Sequence, residues 1–308
     1  MAGSASESAP SGSAPSSVAR AICCPGHGRP VHCVKWAEKN GVAVVLSGCL
    51  DKMPMLRWGD NGDWIGTFAG HKGAVWGVSC DGGLNRVATA GADFCAKLWN
   101  AESGELIHTF DHKHIVKTVD FDASGKRLLT GGMEKLLRVF DLTNLEAAAP
   151  IFELSLGSVI SKAIWLNEKL IACALNDGTI AVVDVRAAEK GPVAVLGVPG
   201  KSTVKDMELS GKVLTVAIGK KVIFYDTATY KPVKTFSFEF DVVAASLHPD
   251  GTQFAAGGSD LWVHVFDRNS GKEVACHKGH HGPVFCLRYA RDGTIASGSE
   301  DATVRLWR

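Results

Sequence analysis

The sequence has no apolar run long enough to cross a bilayer as a helix. Its longest mainly apolar stretch, Val42 to Leu50, is about half the length such a span needs. It has no excess of charge either. Lys plus Arg total 33 and Asp plus Glu 32, a formal charge of +1, whereas a dedicated nucleic-acid binder carries a strongly basic footprint. Neither a membrane nor direct nucleic acid is therefore expected as a partner. The nine cysteines (23, 24, 33, 49, 80, 95, 173, 276 and 286) contain no Cys-x-x-Cys pair. An odd, scattered set reads as buried thiols in a reducing compartment. His108, His112 and His114 lie close together, as do His277, His280 and His281. No cysteine stands at finger spacing beside either group, so no metal is expected.

Enzyme motifs are missing as well. There is no Gly-x-Ser-x-Gly, no His-Glu-x-x-His and no Gly-x-Gly-x-x-Gly. Gly200-Lys201-Ser202 imitates the end of a phosphate-binding loop, but Val195 occupies the place of its earlier glycine. No cofactor, small-molecule substrate or catalytic residue is expected.

Residues 1–17 are seven Ser, four Ala, two Gly and two Pro, with only Met1 and Glu7 besides. Such a segment buries too little apolar surface to offset its ordering entropy and reads as a disordered tail. It has no apolar core of a secretory signal. From residue 18 onward the composition changes: 46% of the whole chain is apolar, enough for a large core.

A repeat organises this remainder. Trp99 and Trp307 each end a strand-like run and each follow an Asp, Asp93 and Asp301, by six residues. The same column holds Arg57, Phe140, Val183, Tyr225 and Phe266. Its intervals are 42, 41, 43, 42, 41 and 41. Seven units of that length plus the tail account for the chain. The second unit shows short runs suited to strands: Val75 to Cys80, Arg86 to Ala90, Ala96 to Trp99 and Leu106 to Phe110. Turn residues separate them, as in Asp81-Gly82-Gly83. Four short strands per unit at this period describe a propeller blade.

These columns resemble the WD-repeat proteins. Their Gly-His recurs as Gly26-His27, Gly70-His71 and Gly279-His280. Their Trp-Asp end recurs as Trp99-Asn100, Phe140-Asp141, Val183-Asp184, Tyr225-Asp226, Phe266-Asp267 and Trp307-Arg308. The resemblance implies an all-β, seven-bladed β-propeller over residues 18–308. The sequence ends after a third strand, while Ala21 to His27 aligns with Ile65 to His71. Residues 18–24 are expected to complete the last blade, which leaves no open sheet edge.

The resemblance also implies that His71, Thr89, Asp93 and Trp99 form one hydrogen-bonded series inside blade two. His280, Ser297, Asp301 and Trp307 form the matching series in blade seven. Such groups imitate a catalytic triad but read as structural, because a buried network stabilises when every member is satisfied. Blade one keeps His27, Ser47 and Asp51 with Arg57 in the Trp place. Blade three keeps His112, Thr130 and Glu134 with Phe140 there. Blades four to six lack the His and are expected to depend on apolar packing and to open more easily.

The position five after the His starts the innermost strand near the channel mouth. That column reads His32, Trp76, Lys117, Ser161, Lys205, Ala244 and Phe285. Aromatic and cationic residues around one mouth suit a protein ligand. Lys72, His114 and Trp262 are expected to extend that face, together with Lys113 and Lys135.

Several stretches are similar to one branch of the family, the serine/threonine kinase receptor-associated proteins. They include Gly62 to Phe68, Gly70 to Gly77, His112 to Phe121, Leu128 to Gly132, Ala245 to Pro249 and Ala296 to Asp301. The run His112-Lys113-His114-Ile115-Val116-Lys117 is the most specific. The resemblance implies a non-enzymatic scaffold of cytoplasm and nucleus. It implies two roles: a partner of the survival-of-motor-neuron complex in spliceosomal ribonucleoprotein assembly, and a signalling adaptor. Members of that branch extend past the last blade. An alternative is subunit i of translation initiation factor three, which shares Gly-His-x-Gly-Ala-Val-Trp. A further one is a propeller touching RNA through Lys113, Lys117, Lys205, Lys220 and Lys221.

Overall fold

A computed structural model describes residues 21–147, 149–187, 190–197 and 202–308. The expected tail, residues 18–20 and Gly200-Lys201 lie outside the described residues. The rest folds into seven four-stranded antiparallel sheets, with no α-helix among the described residues. The seven sheets are the blades of a β-propeller. In blade two the strands are β6 (Val75–Cys80), β7 (Arg86–Gly91), β8 (Cys95–Asn100) and β9 (Leu106–Asp111), from the axis outward.

Blade seven is assembled from both chain ends. β26 (Val284–Tyr289), β27 (Ile295–Ser299) and β28 (Val304–Trp307) supply three strands, and β1 (Ala21–Cys24) supplies the fourth. Ala21 pairs with Trp307 and Cys24 with Val304. The ring is thereby closed by main-chain hydrogen bonds between residues almost the whole chain apart.

The core lies between blades rather than inside them. Each blade is one sheet thick, so its two faces must be buried against its neighbours. Ala172, Ile180 and Val182 of blade four pack on Val204, Met207 and Val216 of blade five. Ala88, Leu98 and Phe110 of blade two pack on Val116, Phe121 and Phe140 of blade three. The second strand of blade two, β7, is buried without interruption from Val87 to Gly91, as expected where both faces are covered: small residues such as Ala88, Ala90 and Ala96, all 0% exposed, allow close approach, and large ones fill the wedge.

Two backbone features recur on the edge that carries the Gly-His loops, called the upper edge. First, the residue after the carboxylate turns with positive φ: Lys52 (75°), Phe94 (65°), Lys135 (65°), Gly178 (87°), Leu261 (73°) and Ala302 (65°). Of these six, only blade four uses the glycine that this left-handed conformation favours, and blade five, which has no carboxylate there, turns on Gly219 (52°). Second, the first strand of every blade carries a β-bulge near its start, described below.

All nine cysteines are free. Five are buried, Cys33, Cys95 and Cys276 are half-buried and Cys23 is exposed. The thiols of the most enclosed, Cys173 and Cys286, are pushed well up by burial.

Candidate functional site

The polar groups sort into three tiers: an outer one within blades, a middle one deep in the channel and an inner one at the channel mouth. The outer tier is the network inside each blade. In blade two, His71 Nδ1 lies 2.9 Å from Asp93 Oδ2, His71 Nε2 lies 2.6 Å from Thr89 Oγ1, and Trp99 Nε1 donates to the same oxygen at 2.9 Å. The direction of every proton follows from the groups themselves. The indole can only donate and the carboxylate can only accept. Thr89 therefore accepts from Trp99 and donates to His71 Nε2, and His71 Nδ1–H donates to Asp93. Asp93 accepts further from the Lys72 backbone N–H at 2.8 Å, which pins the loop to the turn. Gly91 makes the approach possible: a Cβ there would sit 2.6 Å from His71 Nδ1 and closer still to Asp93 Oδ1.

Blade seven repeats this. His280 Nδ1 is 2.9 Å from Asp301 Oδ2, His280 Nε2 is 2.8 Å from Ser297 Oγ, and Trp307 Nε1 donates to Ser297 Oγ at 2.8 Å. Burial pushes His71 and His280 below the ordinary histidine range, against the pull of their Asp partners. Both are neutral at pH 7, as the proton directions require. Blade one joins His27 to Asp51 and to Ser47, each at 2.8 Å. Its Arg57 is buried and donates from Nη2 to the Pro25 carbonyl at 2.5 Å. Burial raises the Asp51 carboxyl, but hydrogen bonds, that to His27 foremost, outweigh it and hold it at about 2.

Blades three and six depart from what the columns suggest. In blade three, Arg138 takes the carboxylate of Glu134 at 2.6 Å and donates to His112 Nδ1 at 2.6 Å. His112 Nε2 and Thr130 Oγ1 are left without partners. Phe140 offers no N–H to orient the hydroxyl, and the longer Glu134 reaches the guanidinium, so the series does not form. Blade six lacks the loop His but has a polar network all the same. His264, on β24 (Val263–Asp267), meets Asp260 at 2.6 Å through Nε2 and Glu273 at 2.7 Å through Nδ1. The repeat columns could not reveal it, because this His comes from the third strand.

The middle tier lies inside the channel, where two ion clusters bridge non-adjacent blades. Asp206 accepts from Arg288 at 2.6 and 2.7 Å and from Lys162 at 2.7 Å. These residues belong to blades five, seven and four. Arg288 Nε also approaches Glu208 at 3.5 Å. Burial raises Asp206, but the Arg288 and Lys162 charges overcome it and hold the carboxyl at about 2. Across the channel, Asp120 accepts from Lys35 at 2.9 Å and from Ser79 at 2.8 Å. None of these contacts was legible in the sequence, since Arg288 and Asp206 stand 82 positions apart.

The inner tier is the channel mouth. In all seven blades one residue of the first strand is skipped by the ladder: His32, Trp76, Lys117, Ser161, Lys205, Val243 and Phe285. A bulge turns its extra side chain out of the pleat, and all seven line the channel, whose cavity is about 840 Å³. The column read from the sequence is corrected at one place. Val243, not Ala244, is the blade-six member, and Ala244 is fully buried. Blade six has no loop His to anchor the alignment, so it slipped by one.

Neighbours in this ring touch. The His32 ring stacks on Phe285 at 4.6 Å and 11°, and tilts against Trp76 at 4.8 Å. Lys117 Nζ stands 5.3 Å from the Trp76 ring centre. Burial, then the charge of Lys117, pushes His32 down to about 4, so at pH 7 it presents a neutral aromatic face. Lys117 and Lys205 make no ion pair among the described residues. Trp76 Nε1–H is buried and finds no acceptor among them.

Three other residues named from the sequence stand apart from the mouth. Lys72 is exposed on the rim. His114 accepts from the Ile115 N–H at 2.8 Å and lies 5.5 Å from Phe94. Trp262, 38% exposed, lies under Lys278 Nζ at 3.8 Å on the outer part of blade six. Of the lysines considered for RNA, Lys113, Lys220 and Lys221 do not line the channel, and Lys220 Nζ donates to the Glu239 carbonyl at 2.7 Å.

Comparison with known proteins agrees with this architecture. The WD domain, G-beta repeat, matches residues 62–100, 104–141, 230–267 and 271–308. The serine-threonine kinase receptor-associated protein of Dictyostelium discoideum is 42% identical over 294 residues, covering 93% of this chain and 98% of that protein. Its Homo sapiens counterpart is 42% identical over 292 residues, covering 93% and 82%. Subunit I of eukaryotic translation initiation factor 3 from Drosophila willistoni is 29% identical over 311 residues, covering 91% and 95%. With its seven blades, its closing strand and this degree of identity, the chain belongs to the family of the serine-threonine kinase receptor-associated proteins, within the WD-repeat propellers.

Proposed function

We propose that this chain is a non-enzymatic protein-interaction scaffold that docks a partner at the upper mouth of its channel, as one member of a multi-subunit complex. The observation that carries this reading is the continuous surface Phe285–His32–Trp76–Lys117, built from four blades and held by bulges. Rigidly placed aromatic side chains with one polar end are the usual anchors of protein interfaces. The Ser/Thr-His-Asp groups support the non-enzymatic part. Thr89 and Ser297 are 0% exposed and each hydroxyl is already engaged by a His and an indole. No substrate could reach them.

The family resemblance extends the proposal to the complex concerned. That complex is the survival-of-motor-neuron assembly of splicing particles, in cytoplasm and nucleus, with an adaptor role at a receptor kinase beside it. A second reading, a subunit of translation initiation factor three, has the more distant relative in its favour.

The test is affinity purification of the tagged full chain from its own cells, wild type beside Trp76→Ala, with mass spectrometry. Recovery of Sm-core assembly proteins, lost in Trp76→Ala, is the expected result. Recovery of initiation-factor subunits would select the second reading. A partner retained undiminished by Trp76→Ala would overturn docking at the mouth.

A further inference from the structure

The charges of the channel divide unevenly along its length. Deep inside, each cation has a carboxylate: Lys35 has Asp120, Lys162 and Arg288 share Asp206, and Arg288 also approaches Glu208. At the mouth, Lys117 and Lys205 face the cavity with no carboxylate at all among the described residues. A net charge of +1 for the whole chain thus conceals two uncompensated charges at one aromatic-lined opening.

Resting on the reading of the mouth as a docking site, we infer that its ligand is an acidic peptide segment. An Asp or Glu carboxylate enters between Lys117 and Lys205, and an adjacent aromatic or apolar side chain lies on the Trp76–His32–Phe285 surface.

Three features favour a carboxylate over other anions. The cations available are point-charge ammoniums, while the one guanidinium that lines the channel among the described residues, Arg288, is committed to Asp206 and Glu208. A phosphoryl group is best held by a free guanidinium fork. The channel itself offers two uncompensated ammoniums at its mouth among the described residues, fewer than the run of phosphate contacts that a nucleic-acid backbone engages. His32 remains neutral near pH 7 and adds surface rather than a third charge.

Proton linkage follows from the same geometry. Burial, and then the charge of Lys205, holds Lys117 below the ordinary lysine range. A carboxylate beside it favours the ammonium, so its pKa is higher in the complex than in the free protein. Binding takes up a proton between those two values. Affinity is constant while free Lys117 is charged and falls as pH rises through its free-state pKa.

The experiment is fluorescence anisotropy with the full chain and a labelled peptide whose core is Glu-Trp-Asp-Glu between Gly-Ser flanks. Its controls are the Gln-Trp-Asn-Gln peptide, a phosphoserine-Trp peptide and single-stranded RNA. The acidic peptide is expected to bind, weakening with added salt and with alkaline pH. The amide peptide should lose at least about tenfold in affinity, and Lys117→Gln and Lys205→Gln roughly three- to tenfold each. Both variants are expected to keep the wild-type melting temperature. Equal binding of the amide peptide, or unchanged binding by both lysine variants, would overturn the inference. So would tighter binding of the phosphopeptide or the RNA. If the acidic peptide fails while Trp76→Ala still abolishes capture of the cellular partner, the docking site stands and its assigned chemistry falls. If neither depends on Trp76, the docking site falls as well.

Discussion

Replacing Thr89 by Val tests the network at its hub with almost no change of shape. The methyl of Val fills the place of Oγ1, so packing is conserved and only hydrogen bonding is lost. Two buried groups lose their partner together: Trp99 Nε1–H, at 2.9 Å, and His71 Nε2, at 2.6 Å. Each orphaned buried polar group costs about 1–3 kcal/mol, so the loss is about 2–6 kcal/mol. A propeller of this size shifts by roughly 1.5 °C per kcal/mol, which predicts a melting point lower by about 3–9 °C. Trp99→Phe removes only the donor and is expected to cost about 1–2 kcal/mol. In the double variant the orphaned indole no longer exists, so its cost falls short of the sum by about 1 kcal/mol or more. Calorimetry on the four proteins measures the cycle. A Thr89→Val protein melting within about 1 °C of wild type, or strict additivity, would refute the proton directions assigned above.

Gly91→Ala is expected to cost about 1–3 kcal/mol by forcing His71 and Asp93 apart, whereas Gly66→Ala, with nothing near its Cβ, should be close to neutral; equal melting of the two would sink the close-approach argument. Asp206→Asn leaves Arg288 and Lys162 facing one another without a full counter-charge and should lower stability by about 3–5 kcal/mol, read as a shift of the urea midpoint; an unchanged midpoint would mean that the channel cluster contributes nothing. His32 and His112 are both pushed from 6.5 to about 4, by burial first and then by Lys117 and Arg138 respectively. The unfolded chain therefore binds more protons than the folded one between these values, so stability is full above pH 6.5 and falls as pH drops toward 4, by at most about 3 kcal/mol per histidine. A melting temperature flat between pH 7 and pH 4.5 would contradict this.

Much of the propeller was legible because its repeat is a local property. Trp99 and Trp307, with Asp93 and Asp301 six residues before them, mark the third strand and its turn wherever they recur. The pairing of β1 with β28 was legible for a related reason: Ala21 to His27 is a fourth strand and loop without a blade of its own. The register at the mouth was legible in six blades from the loop His or the column. It slipped at Val243, where a degenerate repeat left only spacing to go on. Blade three misled for a chemical reason. Residue types matching the pattern do not ensure the pattern's bonds when Arg138 competes for Glu134.

The amino-acid sequence by itself determined the number of blades, their strand order and the closure of the ring, because these rest on periodic patterning and on contacts between consecutive strands. Only the tertiary structure decided what faces the axis. The seven bulged residues are about one repeat apart in sequence and become neighbours only when the ring closes. The spacing that makes them equivalent says nothing about which touch. The stacking of His32 on Phe285, the Arg288–Asp206 clamp across blade six and the lack of a carboxylate partner for Lys117 and Lys205 among the described residues all depend on which side chains converge at the centre. Convergence of that kind is set by the curvature of the whole sheet assembly, and no local stretch of sequence contains it.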